Sequence, residues 1–338
     1  MIKEAIGTLV AGKDLNYEEA YFVMGEIMGG EATPAQISAF LTALRLKGET
    51  ADEIAGLASC MRSKATPVHV KGPAIDIVGT GGDGTGTFNI STAAAFVVAG
   101  AGLKVAKHGN RAMSSQCGSA DILEALGVKI DLSAESVAEC IENTGIGFMF
   151  AQVFHPAMKH AAPVRKEIGI RTVFNILGPL TNPAQVEHIL LGVPSEEVGK
   201  KIAAVLHRLG IKHGLVVYGK DGLDEISISG KSVIWDVTKE KLSSPYEVSP
   251  KDFGFNKADI KEIKGGTPQE NAATLTRILD GEKSALRDMV VMNAAAGLIA
   301  GDVTTDLKQG VKLAQEAIDS GKAKEKLERL ATLSRNLK

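Results

Sequence analysis

The sequence predicts an α/β protein: a small N-terminal all-helical domain followed by a larger α/β domain with a mostly parallel central sheet. Two textures carry this. Residues 1 to about 66 hold repeated helix-capping signatures and no β-branched alternation. From about residue 74, short apolar runs alternate with helical stretches, the pattern of βαβ units.

In the first part, Asn16-x-x-Glu19, Thr33-x-x-Gln36 and Thr50-x-x-Glu53 each pair a capping side chain with an acid or amide three residues on. Pro34 occupies the favoured first helical position. Ile37, Phe40, Leu41 and Leu44 recur at helical spacing, and the unit ends near Thr66-Pro67. Strands are then expected at 74–78, 103–106, 147–151, 188–193, 214–218 and 232–236. Helices are expected at 92–99, 119–126, 134–143 and 196–209. Thr267-Pro268-Gln269-Glu270 caps a late helix, Met292 to Ala300 reads as a buried one, and the tail from Lys308 is charged and helical. The domain boundary falls at 1–70 and 71–338.

Composition narrows the function. The chain of 338 residues has net charge −2 and 4% aromatics, with no basic block, so it lacks a nucleic-acid footprint. No apolar stretch reaches membrane-spanning length and the N-terminus lacks a signal-peptide core, so no membrane partner is expected. Cys60, Cys117 and Cys140 are too few and too dispersed for a disulfide framework or a cysteine zinc site. The expected compartment is a reduced cytoplasm.

The most informative stretch runs from Gly79 to Thr92, Gly-Thr-Gly-Gly-Asp-Gly-Thr-Gly-Thr-Phe-Asn-Ile-Ser-Thr, directly after a strand. Its five glycines let backbone N–H groups approach a phosphorylated ligand closely. Gly79, Gly81 and Gly84 satisfy the dinucleotide pattern G-x-G-x-x-G. However, the next helix signal waits until Ser91-Thr92, and no Asp or Glu occurs from Gly84 to Ala120 to hold a ribose. Ser91 and Thr92 suit a helix cap, an anion at the positive helix end, or both. A second polar cluster, Lys107 to Asp121, follows the next strand, where open α/β sheets place ligands. Lys107 and Arg111 bring charge, and Ser114, Ser115 and Ser119 bring hydroxyls. Two such loops suit a ligand with several phosphates.

With Asn89-Ile-Ser-Thr92, Leu177-Gly-Pro-Leu-Thr-Asn-Pro183 and Asp224-Glu225, these motifs resemble the anthranilate phosphoribosyltransferase family over essentially the whole chain. The resemblance implies transfer of the 5-phosphoribosyl group of 5-phosphoribosyl 1-diphosphate (PRPP) to anthranilate, with release of pyrophosphate. It assigns PRPP to Gly79, Gly82, Asp83, Thr87, Asn89, Ile90, Ser91, Thr92, Lys107, His108, Gly109, Asn110, Arg111, Ala112, Met113, Ser114, Ser115 and Ser119. It assigns anthranilate to Gly79, Asn110 and Arg165, with the Gly178-Pro179 turn nearby. Magnesium, two ions per subunit, would be held by Ser91, Asp224 and Glu225. Asp83 is open between ribose or metal-water contact and capping of its own loop. His108 is open between lining the site and packing the loop, while His155 and His160 are read as structural. No general base is assigned, since an aromatic amine is neutral at pH 7 and the hard step is departure of pyrophosphate. The resemblance further implies that a segment at about 165–185 packs near the helical domain, with Gly169, Gly178 and Pro179 as hinge residues. It also implies a homodimer through the helical domain. The competing readings are a pyrimidine nucleoside phosphorylase, opposed by Asp224-Glu225, and a non-catalytic nucleic-acid-binding relative, opposed by the net charge.

Overall fold

A computed structural model describes residues 1–81, 86–112 and 116–337. The chain opens with α1 (Ile2–Val10), α2 (Tyr17–Gly29), α3 (Pro34–Lys47) and α4 (Ala51–Lys64). Asn16, Thr33 and Thr50 each form a full capping box, so two orphan N–H groups are satisfied reciprocally at each of these three helix starts. Apolar side chains recurring at three- and four-residue spacing then close the bundle around Val23, Ile27, Phe40, Leu41, Ile54 and Leu57.

The rest of the chain winds around a seven-stranded sheet. Its elements in order are β1 (Ala74–Gly79), α5 (Ile90–Gly100), β2 (Lys104–Gly109), α6 (Ser119–Ala125), α7 (Ala134–Thr144) and β3 (Ile146–Phe150). A short helical passage follows, α8 (Ala151–Phe154), α9 (Ala162–Ile168) and α10 (Phe174–Leu177). Next come β4 (His188–Gly192), α11 (Glu196–Arg208), β5 (His213–Gly219), β6 (Ser232–Thr238) and β7 (Tyr246–Val248). The chain closes with α12 (Pro268–Leu279), α13 (Ala285–Ala300), α14 (Leu307–Asp319) and α15 (Lys322–Asn336). Strand order is β3-β2-β1-β4-β5-β6-β7. Strands β3 through β5 are mutually parallel, while β6 and β7 add antiparallel at one edge. The expected mostly parallel sheet is present; β7 has no counterpart in the sequence reading because it is only three residues long.

Both faces of the central strands are covered, which is why they read as unbroken apolar runs. On β4, Leu190 faces a core shared with α5 and α13, while Ile189 and Leu191 face a core shared with α11 and the helical bundle. The bundle is thus continuous with one face of the sheet. That second core also takes in Ala161, Val164, Val173, Phe174, Leu177 and Leu180. Arg62, in the last turn of α4, donates from Nε to the Leu180 carbonyl at 2.6 Å, tying the bundle to this passage.

Order along the sheet reverses between β1 and β4, so the carboxyl ends of these strands flank the crevice where open α/β sheets bind ligands. Two expected boundaries shift here. Lys107, His108 and Gly109 belong to β2 rather than to a loop after it. Helix α5 starts at Ile90 with Asn89 as its cap residue, so Ser91 and Thr92 lie inside its first turn.

Candidate active site

Glycine at the ends of β1 and β4 has a steric cause. A Cβ on Gly79 would sit 3.0 Å from Cγ of Asp224, and one on Gly192 would collide with the Asp224 backbone. Asp224, carried over the sheet by the turn after β5, therefore rests on two strand ends bare of side chains. Its Oδ2 accepts from the Gly81 N–H at 2.8 Å, and Thr80 N–H pairs with the Gly192 carbonyl at 2.9 Å. The neighbouring Glu225 accepts from the Ser91 N–H at 3.2 Å. Both acids thus lie at the carboxyl end of the strand pair, against the N-terminus of α5.

Lys107, from β2, is 3% exposed. Its ammonium donates to the Ile77 carbonyl at 2.5 Å and reaches Ser91 Oγ at 3.4 Å. Burial lowers its pKa, while Asp76 and Glu225 oppose that shift. Asp76 is fully buried beneath it and accepts from His108 N–H at 3.2 Å and Asn182 Nδ2 at 2.7 Å. Desolvation raises Asp76 to about 6, with Lys107 and Asn182 pulling the other way.

The glycine-rich loop leaves the site through a short antiparallel pairing. Phe88 N–H donates to the Ile263 carbonyl at 3.0 Å and Gly265 N–H to the Gly86 carbonyl at 2.9 Å, with Thr87 bridged to Lys264. Ile90 and Thr92 are buried behind it. Across the cavity, Ser119 donates to the Asn110 carbonyl at 3.2 Å. Arg111 forms ion pairs with Asp121 at 3.0 Å and with Glu124, and lies over the Phe150 ring. Gly82, Asp83, Met113, Ser114 and Ser115 lie outside the described residues.

These groups border a polar cavity of about 310 Å³. A second cavity, of about 620 Å³, adjoins it and shares Gly79, Thr80, His108, Asn110 and Asn175. Its lining is more apolar: Met61, Ala151, Met158, Phe174 and Pro179 contribute. Arg165, half-buried, is its one Arg from the segment after α8. Its guanidinium carbon sits 4.9 Å from the centre of the Phe174 ring, and among the described residues it has no acidic partner. The ordinary alternative for a helix Arg, an ion pair with Glu167, is not formed. His108 and His155 line the same cavity with ring centres 5.1 Å apart. Desolvation drives both downward, His108 to about 3 with His155 adding to the shift, and His155 to about 4, so both imidazoles are neutral at pH 7.

The structure therefore gathers Gly79, Thr87, Asn89 to Thr92, Lys107 to Ala112, Ser119, Asp224 and Glu225 around the polar cavity and brings Arg165 to the adjoining one. Sequence reasoning read His155 as structural, yet it lines this cavity beside His108; it passed over Phe174 and Asn175, which no motif marks, and only their position in the passage between β3 and β4 places all three here. It also passed over Asn271, which the cap Thr267-x-x-Glu270 brackets without giving it a role.

A helical bundle joined to an α/β domain, with a two-part polar and apolar crevice at the sheet's switch point, is the architecture of a glycosyltransferase class. Residues 3–65 match the glycosyl transferase family helical bundle domain, and residues 71–324 match the glycosyl transferase family a/b domain. Over its full length the chain is 60% identical to an anthranilate phosphoribosyltransferase of Dehalococcoides mccartyi, spanning 99% of that protein. The crystal structure of the enzyme of that name from Thermus thermophilus superposes with a TM-score of 0.93 at 49% identity, covering 98% of this chain and 99% of the other. The Saccharomyces cerevisiae enzyme of the same name, in complex with PRPP and Mg, gives a TM-score of 0.91 at 30% identity, covering 99% and 98%. The chain belongs to the anthranilate phosphoribosyltransferase family, and it is a phosphoribosyltransferase enzyme.

Proposed function

We propose that this chain joins the phosphoribosyl group of PRPP to the amine of anthranilate at the meeting of the two cavities, releasing pyrophosphate. The polar cavity takes PRPP, with Gly79, Gly82, Asp83, Thr87, Asn89 to Thr92, Lys107 to Ser115 and Ser119 as its contacts. The apolar cavity takes the anthranilate ring, with Gly79, Asn110 and Arg165 as contacts. The observation that carries the reading is Arg165: a half-buried cation with no acidic partner among the described residues, on the wall of an apolar cavity that opens into a polar one. A guanidinium so placed is matched by a carboxylate in a fork.

Asp224, Glu225 and Ser91 would hold magnesium, at two ions per subunit. Hard oxygen donors suit that ion. Among the described residues no group of three or more His, Cys, Asp or Glu side chains is placed to hold a metal, so substrate oxygens and water would complete its ligands. When bound, magnesium neutralises charge on the departing pyrophosphate. The chain's own residues hold the two substrates in line: Lys107 offers a buried positive charge beneath the polar cavity, and His108 and His155, both neutral, keep the acceptor side free of a competing charge. The anthranilate amine attacks C1 with its own lone pair as the C1–O bond to pyrophosphate breaks; the nitrogen then sheds one proton to the released pyrophosphate or to water, so no side-chain base is required for the attack.

The bundle of residues 1–70, with the segment at about 165–185, is proposed to act as one unit facing the remainder of the chain. Gly169, which ends α9 in the left-handed region, and the Gly178-Pro179 turn would serve as its hinge. Val10, Phe22 and Leu46 are exposed on three bundle helices. Their exposure supports a homodimer through this domain, in which a second copy would cover them. No described helix is long and apolar enough to cross a membrane. The three cysteines are free and buried, and the cytoplasm is the proposed compartment. The test is loss of anthranilate fluorescence. Consumption should require both PRPP and magnesium and stop on chelation. Consumption without PRPP, or phosphorolysis of a pyrimidine nucleoside, would refute the assignment.

A further inference from the structure

Asn271, in the first turns of α12, lies outside both polar loops and is 3% exposed. Its Oδ1 accepts from the Gly266 N–H at 2.8 Å, and its Nδ2 donates to Asn89 Oδ1 at 2.9 Å. Asn89 in turn donates from Nδ2 to the Cys117 carbonyl at 3.0 Å. Cys117 leads into Gly118 and Ser119 at the start of α6, on the far side of the cavity.

The direction of this relay is set at its ends. A carbonyl can only accept, so Asn89 must present its NH₂ to Cys117 and its oxygen to Asn271. A backbone N–H can only donate, so Asn271 must present its oxygen to Gly266 and its NH₂ to Asn89. Neither amide can flip without opposing like groups. Although Asn89 occupies the cap position of α5, its side chain makes no capping bond. It is committed to the relay instead. One N–H of Asn89 is not used by any described residue, and Asn89 lines the polar cavity.

We propose that Asn271 is a positioning residue for the phosphoribosyl donor: acting through Asn89, it locks the glycine-rich loop to the 110–119 loop and fixes the amide that faces substrate. This rests on reading the polar cavity as the PRPP site.

Asn271→Asp tests it, because the aspartate keeps an acceptor for Gly266 N–H but sets an oxygen against Asn89 Oδ1. The PRPP KM should rise about tenfold, the scale of one lost amide hydrogen bond. The anthranilate KM should stay within about twofold, a split that a general loss of packing would not give. In an Asn89→Ala background the same substitution should change the PRPP KM by less than about twofold, because its route to substrate is gone. Asn271→Ala, with no opposed oxygens, carries the same expectation and serves if the aspartate variant does not fold. An unchanged PRPP KM in an active variant, or effects that multiply in the double variant, overturns the inference alone. A wild-type protein that does not consume anthranilate with PRPP and magnesium overturns the reading of the site, and the inference with it.

Discussion

Replacing Arg165 by glutamine separates binding from stability. The guanidinium is half-buried, stacked on Phe174 and without an acidic partner among the described residues. Burial lowers its pKa, which means that the folded protein bears a desolvation cost with no carboxylate to offset it. Removing the charge should therefore not destabilise the fold; a shift of Tm within about 2 °C is expected for a chain of this size. Binding should respond strongly. A fork of two N–H groups to a carboxylate, each charged hydrogen bond contributing about 1.5–3 kcal/mol and screened by partial exposure, sums to about 3 kcal/mol. That corresponds to a rise in anthranilate KM of about a hundredfold. Arg165→Lys keeps the charge but loses the fork and the flat stacking face, and should sit near tenfold. The assay is anthranilate fluorescence at saturating PRPP and magnesium, with PRPP KM measured in parallel and expected to stay within about twofold. An Arg165→Gln enzyme whose anthranilate KM lies within about threefold of wild type would refute the reasoning. So would a large fall in Tm, which would reassign Arg165 to structure.

Gly79→Ala places a methyl against the Asp224 carboxylate, 3.0 Å from Cγ. Overpacking of about 1–3 kcal/mol should appear as about a ten- to hundredfold drop in kcat/KM for PRPP and a higher magnesium requirement; normal magnesium titration would contradict it. His108 and His155 titrate near 3 and 4, so kcat/KM between pH 5 and 8 should show no limb removed by His108→Asn or His155→Asn. Because their folded pKa values lie below the unfolded value of 6.5, stability should fall as pH drops below 6.5, measured as Tm, and the two substitutions should flatten that slope. His213 behaves oppositely: the Asp236 carboxylate 3.2 Å from its Nε2, with Asp302 adding, raises its pKa above 6.5. Its contribution is complete below 6.5 and is lost as pH rises through the folded value, so His213→Asn should reduce Tm at pH 6 more than at pH 9.

Local chemistry makes much of this molecule legible in its sequence. Capping boxes at Asn16, Thr33, Thr50 and Thr267 are satisfied within four residues, so they mark helix starts wherever the chain goes. The two-sided burial of the parallel strands left apolar runs such as His188 to Gly192, and the glycine-rich run pointed to a phosphorylated ligand, while Asp224-Glu225 gained its expected metal role only from the family resemblance. Boundaries were less legible where tertiary pairing overrides local preference. Lys107 to Gly109 look like a loop but pair with Phe148 to Phe150 as strand. Ser91 looks like a cap, yet the helix begins before it because Asn89 is held by Cys117 and Asn271.

By itself, the sequence determined the element types and, through their alternation, the mostly parallel sheet, and it marked the residues proposed to meet phosphate, since each of these signals is a local pattern. Only the tertiary structure decided which of them meet. Strand order put β1 beside β4, and bare glycines at Gly79 and Gly192 let Asp224 settle over both ends. The passage between β3 and β4 carried Arg165, Phe174 and His155 to one cavity wall, and α12 brought Asn271 to Asn89 across 182 positions of chain. Contacts at that separation are set by packing of the whole core, and no local pattern encodes them.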